Sequence, residues 1–312
     1  MRELKQQFEI RDYGKCTSLL GMKVDDTGRG KNRRVQLSMP GYVKELLAGT
    51  GMIDANGVRT PAESGLKMSR NDPEAESTLV NGVEYRSCCG AMLWMSLTCM
   101  PHLAHTVNLL CRHVNRPTPA AIAAMKRLLR FLARDHHQGL TYTAGGNAEM
   151  QTYTDSDWGD CPGTGRSTTG YCIMLAGAAI DWESKLQPTV AMSTVEAEAM
   201  ALCAGVQETD YLRGLRLELH PNWTKLKPTE MFVDNKGCRD DCYNRTGRRT
   251  RHINLRFHRV REAVAQNSVV VHRVTGGNDA ATSKMIADIL TKALPGPLYK
   301  VMAAAICGTP CH

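Results

Sequence analysis

The sequence has 312 residues, of which 42% are hydrophobic and 22% are charged, a composition typical of a soluble globular protein with about two domains. Lysine and arginine number 39 against 31 aspartates and glutamates, so the formal net charge is +8 and indicates an acidic partner such as nucleic acid. The sequence has no run of about 18 apolar residues and no apolar stretch near its start, which excludes a membrane helix and a secretory signal and predicts an intracellular protein.

The first 140 residues predict a small α+β region. Its last helix, over residues 118–134, is amphipathic, with apolar side chains three and four residues apart and lysine and arginine on the other side. The pair Gly145 and Gly146 punctuates the chain after this helix, so we place a domain boundary between residues 140 and 147. The elements expected before the helix are a hairpin over residues 24–37, a helix over 40–49, a polar loop near 62–78 and helices from about residue 82.

The next region, residues 147–296, predicts a mixed α/β domain. Three strands joined by turn residues indicate an antiparallel meander, and the helices and strands that follow indicate crossover connections in one mixed sheet. Ser193 and Glu196 form a capping box at the start of the first helix, in which each side chain binds the other residue's amide. The expected elements are strands at 150–155, 169–175 and 178–184, a helix from about 193, a strand at 230–235, helices at 236–243 and about 251–266, a strand at 268–274 and a helix at 285–292.

Four carboxylates fall where such a sheet forms a crevice. Asp155 ends the first strand and Asp234 ends the fourth, while Glu198 lies in the first turns of the helix between them and Asp288 lies on the last helix. Four acids at one place would raise one another's pKa values, so a hard divalent cation bound through oxygen is predicted, with Mg²⁺ as the first choice. Two such ions about 4 Å apart can activate water on one side of a phosphodiester and stabilise the leaving oxygen on the other.

Six segments occur around these acids in a recognisable order: YTDSDW, RSTTGYCIML, DWESKLQPTVAMSTVEAEAMAL, VDNKG, RTRHINLRFHRVRE and ADILTK. In that order they resemble the ribonuclease H domain of copia-type retrotransposon Pol polyproteins. The upstream segments LLGMKV, YRSCCGAMLWMSLTCMPHLAHTVNLLCR and AAMKRLLRFLARDHHQGLTY resemble the C-terminal part of the same family's reverse transcriptase. The resemblance implies a ribonuclease H-like mixed five-stranded sheet with flanking helices over residues 147–296. It also implies a smaller α+β reverse transcriptase remnant over residues 1–140 and a tail over residues 297–312.

The resemblance also implies an activity. The expected protein is a Mg²⁺-dependent endoribonuclease that cleaves the RNA strand of RNA/DNA hybrids, with two Mg²⁺ ions for which Mn²⁺ is a substitute. Its expected partners are the hybrid and the polymerase half of the reverse transcriptase within a longer polyprotein, with no membrane, and its location is the cytoplasmic retrotransposon particle or the nucleus. The polymerase's YxDD motif is missing, so no polymerase activity is expected. The family's four catalytic and metal-binding positions correspond to Asp155, Glu198, Asp234 and Asp288.

A basic stretch over residues 245–262 predicts contacts with phosphate. It carries seven arginines and two histidines against the single acid Glu262, and its apolar residues recur at helical spacing, so one face packs and the other is basic. The wide minor groove of a hybrid exposes 2′-hydroxyls, where polar side chains near the acids would distinguish RNA from DNA. The predicted nucleic-acid-binding residues are Ser156, Gln187, Asn235, Arg248, Arg249, Arg251, His252, Arg256, His258 and Arg259.

Two other functions compete with the nuclease. A DNA-strand transferase of the same broad fold orders its acids as Asp, Asp and Glu, whereas Glu198 comes second here, and this order argues against it. A non-catalytic nucleic-acid-binding remnant of a mobile element stays open as the alternative.

Several residues also have simpler interpretations. Asp157 and Asp160 are expected to be solvated turn residues, and Asp288 has an alternative role as an exposed helix acid paired with Lys284 or Lys292. The twelve cysteines, in a sequence without a secretory signal, predict reduced thiols. A zinc site is disfavoured because its two candidate cysteines share one predicted helix; its residues would be Cys238, Cys242, His252 and His258.

Overall fold

Two main sheets organise the computed structural model of the chain, which describes residues 14–135, 138–220, 226–243, 254–274 and 284–309 together with Glu9 and Arg11. The strands are β1 (Ser18–Leu19), β2 (Met22–Thr27), β3 (Arg34–Ser38), β4 (Leu79–Val80), β5 (Val83–Glu84), β6 (Gly139–Thr143), β7 (Gln151–Asp157), β8 (Thr168–Leu175), β9 (Ala178–Leu186), β10 (Thr229–Val233) and β11 (Val269–Arg273). Besides the two sheets, the described residues contain a separate hairpin of two very short strands, β4 and β5.

Eight α-helices and three short 3-10 helices accompany the sheets in the described residues. None of the helices in the described residues is long and apolar enough to cross a membrane. The α-helices are α1 (Pro40–Gly49), α2 (Tyr85–Thr98), α3 (Ala104–Cys111), α4 (Pro119–Asp135), α5 (Thr194–Leu219), α6 (Lys236–Tyr243), α7 (Asn254–Ala265) and α8 (Gly296–Cys307), and short 3-10 helices cover Gly30–Asn32, Pro101–Leu103 and Ile286–Leu290.

The second sheet has the strand order β11-β10-β7-β8-β9. The pairs β7 with β8 and β8 with β9 are antiparallel, whereas β10 runs parallel to both β7 and β11. A meander followed by two parallel crossover strands is the mixed five-stranded, ribonuclease H-like sheet predicted from the sequence, and this prediction is confirmed. Helix α5 packs closely on it, since a side chain at Gly205 would meet Thr154 Cγ2 at 2.6 Å.

The first sheet has the order β1-β2-β3-β6 and is antiparallel. Strand β6 contains the predicted boundary at residue 140 and pairs with β3 along its whole length. The largest hydrophobic core joins the two regions, because it includes Leu128 of α4, Cys172 of β8 and Ile306 of α8. The predicted tail therefore contains a packed helix, while the division into domains at 1–140, 147–296 and 297–312 stays a prediction.

Most predicted elements are confirmed, with several differences. Residues 285–292 were expected to form a helix, but only a 3-10 helix at Ile286–Leu290 forms. Ser193 Oγ accepts from the Glu196 amide at 3.2 Å as predicted, but Glu196 Oε2 accepts from the Met192 amide at 2.8 Å instead of the Ser193 amide. The strands β1, β4, β5 and β6 and the helix α8 were not predicted. Of these strands, β1, β4 and β5 have two residues each and leave no periodic signal.

Candidate active site

Three carboxylates meet at one end of the mixed sheet. Asp155 lies near the end of β7, Asp234 directly follows the parallel neighbour β10, and Glu198 lies in the second turn of α5. Each offers a carboxylate oxygen, and these oxygens all lie within 4.8 Å of one another. Parallel neighbours end at the same edge of a sheet, and the first turns of the covering helix face that edge. The predicted convergence of these three residues is thus present in the fold; we call them the acid triad.

The charge of the acid triad is only partly compensated. Glu198 Oε1 accepts a hydrogen bond from the Ser156 amide at 3.3 Å, whereas Glu198 Oε2 is buried and has no hydrogen-bond partner in the described residues. Burial, followed by repulsion from Asp155 and Asp234, raises the pKa of Glu198. Burial and Asp155 likewise raise the pKa of Asp234. Because an unpartnered buried carboxylate oxygen is costly, the triad is suited to bind a cation.

Asp288 reaches the triad through a lysine. Lys292 Nζ lies 2.9 Å from Asp288 Oδ1 and 3.1 Å from Asp155 Oδ2, and Thr291 Oγ1 also donates to Asp155 Oδ2. Burial and Asp155 raise the pKa of Asp288 to about 7, although Lys292 opposes the shift. Burial lowers the pKa of Lys292, but Asp155 and Asp288 outweigh this and raise it. The alternative interpretation of Asp288 is thus right about its pair with Lys292 and wrong about its exposure, because Asp288 is buried.

A glycine allows this approach. Gly170 of β8 lies opposite Asp155 in the sheet register. A side chain at this position would come within 2.6 Å of Thr291 Cγ2 and 2.9 Å of Leu290 Cβ. Only a residue without Cβ lets the segment that carries Asp288 lie this close to β8. The sequence analysis missed the contacts of Thr291 and Lys292 with Asp155, for which the only local signal was their place directly after the acid in the segment ADILTK.

The acid triad fits a hard divalent cation. Such ions prefer oxygen ligands, and carboxylates supply them with compensating charge. The triad offers three carboxylates and one buried oxygen, Glu198 Oε2, that lacks a partner in the described residues. It is the one group of three His, Cys, Asp or Glu ligands that these residues bring close enough to hold a metal ion.

The two acids of the following turn behave differently from the triad. Asp160 is buried, accepts a hydrogen bond from Thr168 Oγ1 at 3.1 Å and pairs with Arg112 Nη1 at 3.6 Å. The expectation that Asp160 is a solvated turn residue is therefore wrong, because Arg112 from the upstream region covers it. Asp157 is half-buried, and burial together with Asp160 raises its pKa to about 6.

Three polar residues that were predicted to contact nucleic acid make hydrogen bonds within the protein, near the acid triad in the chain or on the elements that carry it. Ser156 is buried and holds Glu198 through its amide. Gln187 is buried, and its Nε2 donates to Thr169 Oγ1 and to the Ala197 carbonyl, both at 3.0 Å. Asn235 Oδ1 accepts from the Cys238 amide at 3.0 Å and so caps α6. Their contact with nucleic acid stays a prediction.

The basic stretch is described only from residue 254 onward. Phe257 and Val260 of α7 are buried, which confirms the packed face. Arg259 is held by Asp210 at 2.5 Å and Glu262 at 3.1 Å. Arg256 is half-buried and His258 is exposed. Outside the described residues lie Arg248, Arg249, Arg251 and His252.

The cysteine pair of the disfavoured zinc site lies within α6. Cys238 and Cys242 are both buried, and Cys242 Sγ donates to the Cys238 carbonyl at 3.1 Å. In the part of the chain that the structure describes, neither joins a third ligand in a metal-binding group. His252 lies outside that part.

Comparison with known proteins identifies relatives of this chain. No protein-family model matches it. It is 30% identical to the retrovirus-related Pol polyprotein from transposon RE1 of Arabidopsis thaliana over 305 residues, which cover 97% of this chain and 20% of the relative. It is 30% identical to the retrovirus-related Pol polyprotein from transposon TNT 1-94 of Nicotiana tabacum, over 94% of this chain and 22% of the relative. The chain thus spans about a fifth of the length of these curated relatives.

Solved structures provide a second comparison. RNase H1 from Halobacterium salinarum NRC-1 shares 14% sequence identity with the chain at a TM-score of 0.33, covering 46% of this chain and 94% of that protein. LC11-RNase H1 in complex with an RNA/DNA hybrid shares 12% identity at a TM-score of 0.31, covering 44% and 93%. The fold assignment rests on the strand order and register described above.

Proposed function

The chain belongs to the family of retrovirus-related Pol polyproteins from copia-type transposons, and from this premise we propose that it is a Mg²⁺-dependent endoribonuclease that cleaves the RNA strand of RNA/DNA hybrids. One observation carries the proposal: three carboxylate oxygens lie within 4.8 Å of one another, while Glu198 Oε2 beside them is buried without a partner in the described residues. Such a cluster is unfavourable by itself and favourable around a divalent cation.

The roles of the residues follow from their environments. Asp155, Glu198 and Asp234 hold the metal ions, and the metal contact predicted for Asp288 stays a prediction. When bound there, a pair of Mg²⁺ ions would stabilise the charge on the attacking and leaving oxygens of the phosphodiester. Asp288 has a pKa of about 7, so its carboxyl group is suited to accept or donate a proton near neutral pH. Lys292 positions Asp155 and Asp288 and neutralises part of their charge.

The substrate class follows from charge and from the relatives. The net charge of +8 and the arginine-rich stretch supply attraction for a polyanion, whereas the triad alone would repel one. In this proposal Ser156, Gln187 and Asn235 lie close to the scissile strand, and the arginines and histidines of residues 245–262 contact phosphates. The proposed partners are an RNA/DNA hybrid and the polymerase half of a longer Pol polyprotein.

A cleavage assay tests the function. The purified chain with Mg²⁺ is expected to shorten the labelled RNA strand of a hybrid and to leave the DNA strand intact. Asp234→Asn is expected to abolish cleavage because it removes a metal ligand. Asp240→Asn is the matched control, since Asp240 lies on the adjacent helix α6, outside the acid triad, and pairs with its neighbour Arg239. Equal cleavage by Asp234→Asn and the wild type would contradict the proposal.

A titration separates the nuclease from the alternative of a non-catalytic nucleic-acid-binding remnant. Calorimetry with Mg²⁺ is expected to show binding that Asp234→Asn weakens. An inert remnant would bind hybrid but no Mg²⁺ at the acid triad.

A further inference from the structure

A group of exposed apolar side chains lies on the two segments that adjoin the acid triad in the chain, the turn after β7 and the loop before α5. Trp158 is 52% exposed, Val190 is 51% exposed and Met192 is 81% exposed. Trp158 comes from the turn after β7, and the other two come from the loop before α5. We call these three residues the ledge. Single exposed apolar residues are common, but a group of them beside a polar crevice marks a binding surface.

The ledge is held in place by two hydrogen bonds. Trp158 Nε1 donates to the carbonyl of Ala191 at 3.0 Å. Ala191 is buried and stands between Val190 and Met192 in the sequence. The Met192 amide donates to Glu196 Oε2 at 2.8 Å. The indole therefore has a defined orientation although half of its surface faces solvent. In the described residues no aromatic ring or cation stacks on it.

The same segments carry the acids. Trp158 lies three residues after Asp155, and Glu196, which binds the Met192 amide, lies two residues before Glu198 on α5. The Ser156 amide closes this arrangement by donating to Glu198. The ledge is consequently fixed to β7 on one side and to α5 on the other. The ledge and the acid triad therefore share the same two supporting elements.

We propose that the ledge packs against the sugar rings of the nucleic-acid strand held over the acid triad. This inference rests on the proposed function and adds a subsite to it. A phosphodiester bound at the triad would place its neighbouring sugars near the ledge. The ledge side chains are uncharged, so they would gain little from phosphate and more from the sugar rings. Sugar rings offer apolar C–H faces, and the wide, shallow minor groove of an A-form-like hybrid leaves them accessible. An ordered indole presents a flat surface at low entropic cost.

Binding of a fluorescently labelled hybrid tests the ledge with the full chain. Ca²⁺ replaces Mg²⁺ so that affinity is measured without cleavage, and fluorescence anisotropy gives Kd. Trp158→Ala is expected to weaken binding about tenfold, in the range of aromatic contacts with nucleic acids. Met192→Ser, at a position exposed enough to leave folding unaffected, is expected to weaken it about threefold, and Trp158→Phe is expected to fall between the wild type and Trp158→Ala.

An exposed aromatic on the same helix serves as the matched control. Tyr211 of α5 is 65% exposed and lies 13 residues beyond Glu198, or about 20 Å along the helix. Tyr211→Ala is expected to leave Kd unchanged. Under Mg²⁺ the ledge variants are expected to raise KM more than they lower kcat, because the ledge binds the strand without touching the reacting atoms.

The outcomes separate the subsite from the function. If the wild type binds hybrid while Trp158→Ala and Met192→Ser bind equally well, the ledge proposal is overturned and the proposed nuclease function stands. If the wild type binds no hybrid, both are overturned. If the ledge variants change self-association and leave hybrid binding unaltered, the ledge is a contact between copies of the chain, and the proposal is wrong.

Discussion

Two buried acidic sites lie near the same end of β7 and differ in how their charge is compensated. Asp160 receives a hydrogen bond from Thr168 and the guanidinium of Arg112, which reaches it from the upstream region. In the acid triad, Lys292 and Thr291 bind Asp155, whereas Glu198 Oε2 keeps no partner in the described residues. A buried carboxylate with both a hydrogen-bond donor and a cation beside it stabilises the fold. A buried carboxylate oxygen without such partners is suited to bind a ligand, such as a cation.

The upstream region, residues 14–135, contributes to the compensated site and to the sheet beside it. Besides Arg112, it supplies Asn108, whose Nδ2 donates to the Ser184 carbonyl at 2.9 Å, and the Ser96 carbonyl, which accepts from Trp182 Nε1 at 2.8 Å. These contacts fasten α2 and α3 to β9, and Arg112 Nη2 donates to Thr168 Oγ1 at the start of β8 at 2.9 Å. The region upstream thus stabilises the sheet that carries the acids, and it supplies none of the triad's ligands. Changes at the Asp160 site are therefore expected to lower stability, whereas changes at the acid triad are expected to lower activity.

The largest expected effect is that of Glu198→Gln. Cleavage of the hybrid is expected to fall by about a thousandfold or more, because metal coordination contributes several kcal/mol to transition-state stabilisation. In the absence of divalent ions the variant is expected to be as stable as the wild type or more stable, since the neutral amide relieves repulsion from Asp155 and Asp234. Single-turnover cleavage and urea unfolding in a chelator measure the two effects. A strongly destabilised variant would show that the triad is satisfied without metal.

The next effect is that of Arg112→Met on the compensated site. It leaves Asp160 buried without its cation, so the free energy of unfolding is expected to fall by about 3 kcal/mol, the lower end of the range for a broken buried pair, because Thr168 still binds Asp160. Arg116→Met is the control, since its pair with Glu74 is exposed and contributes about 0–1 kcal/mol. Urea unfolding measures both. Equal stabilities would mean that Arg112 is dispensable and that the two acidic sites do not differ.

Lys292→Met removes the positive charge that lies beside Asp155 of the acid triad. The variant is expected to lose about 1–2 kcal/mol of stability without metal, less than a fully buried pair because about a third of the Lys292 side chain is exposed. Mg²⁺ is expected to restore part of this loss by replacing the missing positive charge. Lys284→Met, eight residues earlier in the same segment, is expected to change neither quantity. Thermal unfolding with and without Mg²⁺ provides the measurement, and a variant that Mg²⁺ does not stabilise would count against Lys292 as a partner of the metal ligands.

The smallest effect is a pH dependence. The pKa of Asp288 is raised from its ordinary 3.8 to about 7, so the folded chain holds a proton there that the unfolded chain releases near pH 4. In the absence of metal, the protonated Asp288 carboxyl contributes to the free energy of unfolding. This contribution is fully present below about pH 4 and is lost as the pH rises toward 7. Mg²⁺ binding that displaces this proton is expected to strengthen about tenfold per pH unit up to about pH 7.

Comparison with Asp288→Asn isolates this proton from other titrating groups. The difference in unfolding free energy between the wild type and this variant, measured from pH 4 to 8 in a chelator, is expected to change only across that window. A difference that moved in favour of the wild type with rising pH would contradict the raised pKa.

The sequence predicted much of the mixed sheet and of the site it carries. Hydrophobic periodicity and turn residues located β7 to β11 and α4 to α6 within a few residues, because each element is specified by neighbours in the chain. Asp155 and Asp234 at strand ends and Glu198 in the first turns of α5 followed from these boundaries, and the three side chains do converge. Their catalytic role stays a prediction. Asp160 was placed wrongly, since a polar residue between turn residues carries no signal of the arginine that buries it.

What the sequence determined by itself was the type and order of the elements, the acids at their ends and the basic character of the chain. Only the tertiary structure decided which charges are neutralised and which are left to bind a cation. Lys292 meets Asp155, and Thr291 binds the same carboxylate across 136 residues of chain. Such contacts depend on how close Gly170 lets two segments approach. Local patterns follow from interactions over a few residues, whereas electrostatic compensation depends on distances of a few ångströms between residues far apart in the sequence.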